Sequence, residues 1–359
     1  MKYVHITLAL CLMLFISCSG DSSDITNSQQ SVVRENPVEP NVWLIDPNFI
    51  IDAGPGIDGI PALINPETIM ADQITYLADD DLVIGISNGT NQIAIPHRIL
   101  DWHEIVNMDN FGTTMAVVYC PLTGTGIGWN TKINNETTSF GVSGLLYKNN
   151  IVPYDRATGS NWSQLSGQCV NGELIGSTPE TTVLTELTWG LWKKLYPSSR
   201  VVSTNTGHAR QYQNYPYGSY KTDHERFIYP IDPLINNVPA KERVYVINSG
   251  DKAKVYQFKS FGNGKIIKDQ FEGKDYVLIG NSQFIVSFEL DENTINFDFT
   301  YDFNDGEIIM TDDQNNQWDL FGQALSGPNK SQFLKTSHSG MMSYYFSVES
   351  FYPDSVFYE

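Results

Sequence analysis

Basic side chains are scarce in this sequence: 22 Lys and Arg stand against 41 Asp and Glu, a formal net charge of −19 over 359 residues. So little positive charge argues against nucleic acid as a partner, because phosphates bind basic surfaces. It leaves solubility as the plain role of the acids. Long apolar runs are missing too, since the uncharged stretch from Ile6 to Ile16 is too short to span a bilayer. Complete catalytic signatures are also wanting. There is no phosphate loop and no dinucleotide fingerprint, and Gly141-Val142-Ser143-Gly144 lacks the spacing of a serine nucleophile elbow. His103-Glu104-x-x-Asn107 puts Asn where a zinc-protease helix needs its second His. The acids between Asp302 and Asp313 miss the EF-hand register by one residue and read, with Asp79-Asp80-Asp81, as solvated turns. His208, His224 and His338 fall in no metal-ligand spacing.

Cysteine is sparse as well, with 4 in the whole chain. Two belong to the opening. Met1 to Ser17 has a weakly basic start at Lys2 and then the apolar run, so residues 1–17 read as a signal peptide. Phe15-Ile16-Ser17-Cys18 resembles the lipobox at which bacteria cleave and lipidate. Cys18 is therefore expected to carry an acyl anchor of the palmitate type, and the protein to sit in the cell envelope, on a periplasmic or surface face. The membrane contact is expected through that lipid alone. Residues 18–45, rich in Ser, Asp, Asn, Gln and Pro, read as a disordered tether. Cleavage also removes Cys11, which leaves Cys120 and Cys169. Outside the cytoplasm two thiols mean a disulfide or a protected site.

What the chain does have is self-similarity. Asp81-Leu82-Val83-Ile84-Gly85 can be laid over Glu242-Arg243-Val244-Tyr245-Val246, and Phe111 to Tyr119 over Phe271 to Ile279. Trp162 likewise falls on Trp318, and Leu195-Tyr196-Pro197 on Phe351-Tyr352-Pro353. The offset stays between 156 and 161 residues, which predicts an internal duplication. We expect an α+β fold, predominantly β, with two tandem related β-rich subdomains at 57–222 and 223–359, the second degenerate. Met115 to Tyr119, Val201 to Thr204, Val244 to Ile247 and Phe284 to Leu290 read as strands. Asn304-Asp305-Gly306 reads as a hairpin turn. Each half is expected to close with a short helix, Thr185 to Tyr196 and Met341 to Tyr352, each stopped by proline. Pro96 to Asn107 fits either a helix or a strand and turn.

Several segments together resemble the bacterial family catalogued as domain of unknown function 3179. They are Gly59-Ile60-Pro61-Ala62-Leu63, Asp79 to Gly85, Trp102-His103-Glu104-Ile105-Val106-Asn107, and Tyr119-Cys120-Pro121-Leu122-Thr123-Gly124-Thr125. Further along come Ser139 to Tyr147, Tyr154-Asp155-Arg156, Pro216-Tyr217-Gly218-Ser219-Tyr220 and Lys241-Glu242-Arg243-Val244. The resemblance runs from about Ile57 to the C-terminus and implies a family, but no activity. Cys169 stands where the family suggests a small residue, which weakens a disulfide to Cys120 as a family trait.

Residues serving one site need appear once in a doubled chain, and the distinctive polar residues lie in the first half around Cys120. One reading is a metal site, zinc or copper, with Cys120 and His103 as ligands and Glu104 or Asp155 as a third. Another is covalent catalysis of acyl-transfer or hydrolase type, with Cys120 as nucleophile, His103 as base and an anion nest of N–H groups from Leu122 to Gly126. A third class needs no catalysis: a small polar ligand or an envelope protein is bound by Arg98, Glu104, Thr123, Thr125, Ser143, Tyr154, Asp155 and Arg156. The binding role ranks first, because no catalytic motif is complete. For Cys120 itself the plain alternative is a small buried apolar residue.

Overall fold

The computed structural model describes residues 42–359 apart from 110, 113, 232, 233, 235–237, 304, 305 and 338. The expected signal peptide, Cys18, most of the tether, the Asn304-Asp305 turn and His338 lie outside the described residues. Among the described residues no helix is long and apolar enough to cross a membrane.

Alternating β-branched and apolar residues build the regular structure mainly from antiparallel strands. One sheet runs Thr185–Thr188, Leu82–Ser87, Gln92–Pro96, Arg200–Val202, Thr68–Met70. A second runs Thr181–Thr182, Thr125–Asn130, Met115–Cys120, Ile105–Met108, Leu63–Ile64. A third joins Phe140–Gly141, Tyr154–Asp155, Asn161–Ser163 and Gln168–Asn171.

The second half lays its strands in the same orders. Gly340–Tyr344, Arg243–Ser249, Lys252–Gln257 and Val356–Phe357 follow the first four strands of the first sheet. Lys335–Thr336, Ile285–Leu290, Lys274–Gly280 and Lys265–Phe271 follow the second. Phe299–Tyr301, Met310–Asp312, Gln317–Trp318 and Ala324–Ser326 follow the third. The fold is thus predominantly β, with three α-helices among the described residues: α1 His97–His103, α2 Trp189–Leu195 and α3 Tyr345–Phe351.

Both closing helices start later than local periodicity predicts. Thr185–Thr188 is a strand paired with Leu82 to Gly85, and α2 begins only at Trp189, where the Thr188 side chain caps it by accepting from the Leu191 N–H. Gly340–Tyr344 likewise pairs with Arg243 to Ile247 before α3 begins. Cross-strand hydrogen bonds to a remote partner win over the helical spacing of the leucines. Tyr196 and Tyr352 are the C-caps of the two helices.

The described residues form one compact unit, and the two halves share its cores. Leu187 and Trp192 of the first half pack with Val277, Phe288 and Trp318 of the second, while Leu165 packs among Val246, Tyr345 and Val348. Beneath the third sheet, Trp129, Phe140 and Trp162 are fully buried and stack with centroids 5.0 to 6.1 Å apart, tilted as aromatic quadrupoles prefer.

Candidate functional site

Cys120 ends a strand whose six residues are all buried, opposite Thr125 in the next strand. Pro121 to Gly124 are the turn between them, and Gly124 adopts φ 59° to close it. Cys120 has no exposed surface, belongs to the cluster of Ile105, Val118, Leu122 and Trp129, and donates its thiol to the Asn149 carbonyl at 3.6 Å. Burial pushes its thiol up to about 11, against hydrogen bonds from Thr123 and Ile151 that favour the thiolate. Burial thus favours the protonated thiol over the thiolate. His103 Nδ1 is hydrogen-bonded to the Pro61 carbonyl and Nε2 to the Tyr212 hydroxyl, both at 2.7 Å, so neither nitrogen is left for Cys120. Burial holds the imidazole down at about 4.

Cys120 and Cys169 are both free thiols. Cys169 donates to the Asn171 carbonyl at 3.4 Å, and burial pushes it up to about 12. Among the described residues, no three of His, Cys, Asp and Glu gather as metal ligands would, so the zinc or copper reading finds no ligand set around Cys120 and His103.

The turn is fastened from several sides. Its carbonyls are tied down, with Pro121 accepting from the Tyr215 hydroxyl, Leu122 from the Tyr220 hydroxyl and Thr123 from the Tyr344 N–H. Thr123 accepts from Asn150 at 3.0 Å, and Thr125 bonds Ser343 at 2.8 Å. Ser143 donates to the Val152 carbonyl and accepts from the Leu145 N–H. These hydroxyls hold loops together rather than await a ligand.

Three more expected binders are structural or lie apart. Asp155 is fully buried and accepts from the Thr158 N–H, the Thr158 hydroxyl and the Trp162 indole. Asp312 likewise accepts from the Trp318 indole, at 2.8 Å. A residue used in both halves serves the fold. Tyr154 and Arg156 both bind Asp58, each at 2.6 Å, on the surface. Arg98 is spent on Asp81 and Gln213.

Glu104 is different. As the C-cap of α1 it takes φ 59° and ψ −37°, its N–H bonds the Leu100 carbonyl, and its own carbonyl accepts from the Tyr119 N–H. A left-handed glutamate costs about 1–3 kcal/mol and persists because both sides of it are pinned. Glu104 is 4% exposed and lines a cavity of about 270 Å³. The Tyr217 hydroxyl, on the same wall, donates to it. Desolvation pushes the carboxyl up to about 8, and the Tyr217 hydrogen bond opposes that rise. The other walls are mostly apolar, among them Ile60, Leu122, Val142, Leu145 and Ile151. Gly144 is required there, since any Cβ would stand 2.8 Å from the Gly56 nitrogen. Ile228 also lines the cavity and is 41% exposed, which places the opening beside it.

A family profile described as "Protein of unknown function (DUF3179)" matches residues 57–355. The chain belongs to that family. No curated protein and no solved structure gives a match. Five of the segments by which this DUF3179 chain resembles its family meet at the one cavity. They contribute Ile60, Glu104, Leu122, the run Val142 to Leu146 apart from Ser143, and Tyr217.

A second cavity of about 300 Å³ lies between the halves of the DUF3179 fold and includes Trp129, Gln164, Glu186, Lys274 and Glu289. Its acids are already paired. Glu186 meets His97 at 3.1 Å and also Arg243, and Glu289 meets Lys274 at 3.0 Å and also Lys335. Sequence reasoning did not pick out Asp101, His97, Glu186 or Arg243. Asp101 and Glu104, two acids inside the apolar stretch Ile99 to Val106, were a legible sign of buried chemistry. The triad of His97, Glu186 and Arg243 is assembled by tertiary contacts and left no local mark.

Proposed function

We propose that this protein binds a small, largely apolar molecule in the Glu104 cavity and presents it in the cell envelope, anchored by lipid on Cys18. One observation carries the reading: five family-marking segments converge on an apolar cavity with a single buried acid in its wall. Its size, near the lower end of the ~300–1,000 Å³ usual for ligand sites, favours a compact ligand. The matched strand orders further support a doubled ancestral unit whose first copy kept the site.

The test is saturable binding of the neutral fluorophore N-phenyl-1-naphthylamine to the full chain. One site is expected, lost in Val142→Trp, which fills the cavity, and retained in Gln164→Ala at the second cavity. Binding that survives Val142→Trp, or no saturable binding at all, overturns the proposal. The anchor is tested separately: radiolabelled palmitate is expected to enter the wild-type chain and not Cys18→Ala.

A further inference from the structure

Three other buried acids are compensated, whereas Asp101, like Glu104, is raised mainly by desolvation. Glu186 has Arg243 and His97, Asp155 has three donors, and Asp319 receives the Phe321 and Gln323 N–H groups. Glu104 lines an open space with the neutral Tyr217 phenol as its partner, and among the described residues no Lys, Arg or His lines that space. An ionised carboxylate offers about four acceptor positions, so most of its hydrogen-bonding capacity is left for whatever enters. Tyr229 joins Tyr217 in the wall, and aromatic rings beside a carboxylate favour a cationic head group.

We propose that the ligand of the Glu104 cavity is an amphiphilic amine, its ammonium group seated on the Glu104 carboxylate and its hydrocarbon body against Ile60, Leu122, Val142 and Leu145. The inference rests on the ligand-binding function proposed above and names the ligand class. The chemistry is one of matched costs. Folding has already stripped water from Glu104, so an entering ammonium loses only its own hydration, and the carboxylate gains the opposite charge it lacks. An alcohol would gain one hydrogen bond at that position, and a carboxylic acid anion would meet a wall without a cation. Bound ammonium favours ionised Glu104, so binding near neutral pH expels a proton from the carboxyl. The proton goes to buffer, and no covalent bond is made or broken.

The experiment compares octylamine, 1-octanol and octanoate on the full chain by calorimetry, in two buffers of different ionisation heat. Octylamine is expected to bind at least about tenfold tighter than octanol, with octanoate weakest and with proton release seen for the amine alone. Glu104→Gln is expected to abolish the amine preference while octanol affinity stays within about threefold. If that variant does not fold, the buffer dependence in the wild type decides instead. Saturable octanol or octanoate binding as tight as the amine, or amine binding without proton release, overturns the head-group assignment and leaves the cavity function standing. No saturable binding of any of the three, together with loss of the fluorophore site, overturns both.

Discussion

The Tyr352 hydroxyl donates to the Leu165 carbonyl at 2.8 Å, joining the end of α3 to the loop after Trp162 in the other half. In the opposite sense, Tyr196 at the end of α2 packs on Phe321, 5.8 Å between centroids, just after Trp318. Each half thus holds the other by a tyrosine at its helix end. Tyr352→Phe is expected to cost about 1 kcal/mol while urea unfolding stays a single transition by fluorescence and circular dichroism. Two separated transitions would contradict the shared cores.

Glu104 gives the protein a pH dependence of definite sign. Below its ordinary value of 4.5 the carboxyl is protonated in both states. Between 4.5 and about 8 the folded chain keeps a proton that the unfolded chain releases. Its contribution to stability is therefore full below 4.5 and lost as pH rises through 8. Glu104→Gln lacks this loss. Its stability relative to wild type is expected to grow across that window by about 1 kcal/mol or more, and a flat difference in melting temperature would refute the buried acid. Asp101, raised to about 7, and Asp319, raised to about 6, cancel in such a difference.

The two core thiols are expected to resist modification. In the native protein, peptides carrying Cys120 and Cys169 stay unlabelled by iodoacetamide over hours, and both label fully in urea without reductant. Labelling that requires reductant would reveal a disulfide, and fast native labelling of Cys120 would restore the nucleophile.

Arg243 and Glu186 come from opposite halves, and Glu186 is buried. Removing the cation leaves an acid with only His97, whose own protonation burial disfavours. Arg243→Met is expected to destabilise by about 3–5 kcal/mol, and Glu186→Gln in the same chain to recover part of that. Denaturant midpoints of the two singles and the double check it; simple additivity would contradict the pair.

How much of this was legible depends on how far each feature reaches along the chain. Strands such as Leu82–Ser87 and Arg243–Ser249 announce themselves by local composition. The first turn expected of α2 was misread because the pairing of Thr185 with Gly85 is invisible to periodicity. At the site, Glu104 was named from its motif, but its partner Tyr217 is delivered by a later loop. Asp155 looked distinctive because its counterpart Asp312 is displaced by one residue along the matched segments.

Gly124 closes its turn with a Tyr344 ring carbon 3.0 Å from where a side chain would begin, and Tyr344 donates its N–H to Thr123 at 2.7 Å. The turn that bears Leu122 into the cavity is therefore finished only once Tyr344, more than two hundred residues later, has left the ribosome. A nascent or truncated chain holds that corner open, so a premature stop anywhere before Tyr344 is expected to yield a polypeptide that proteases clear rather than a shorter working protein.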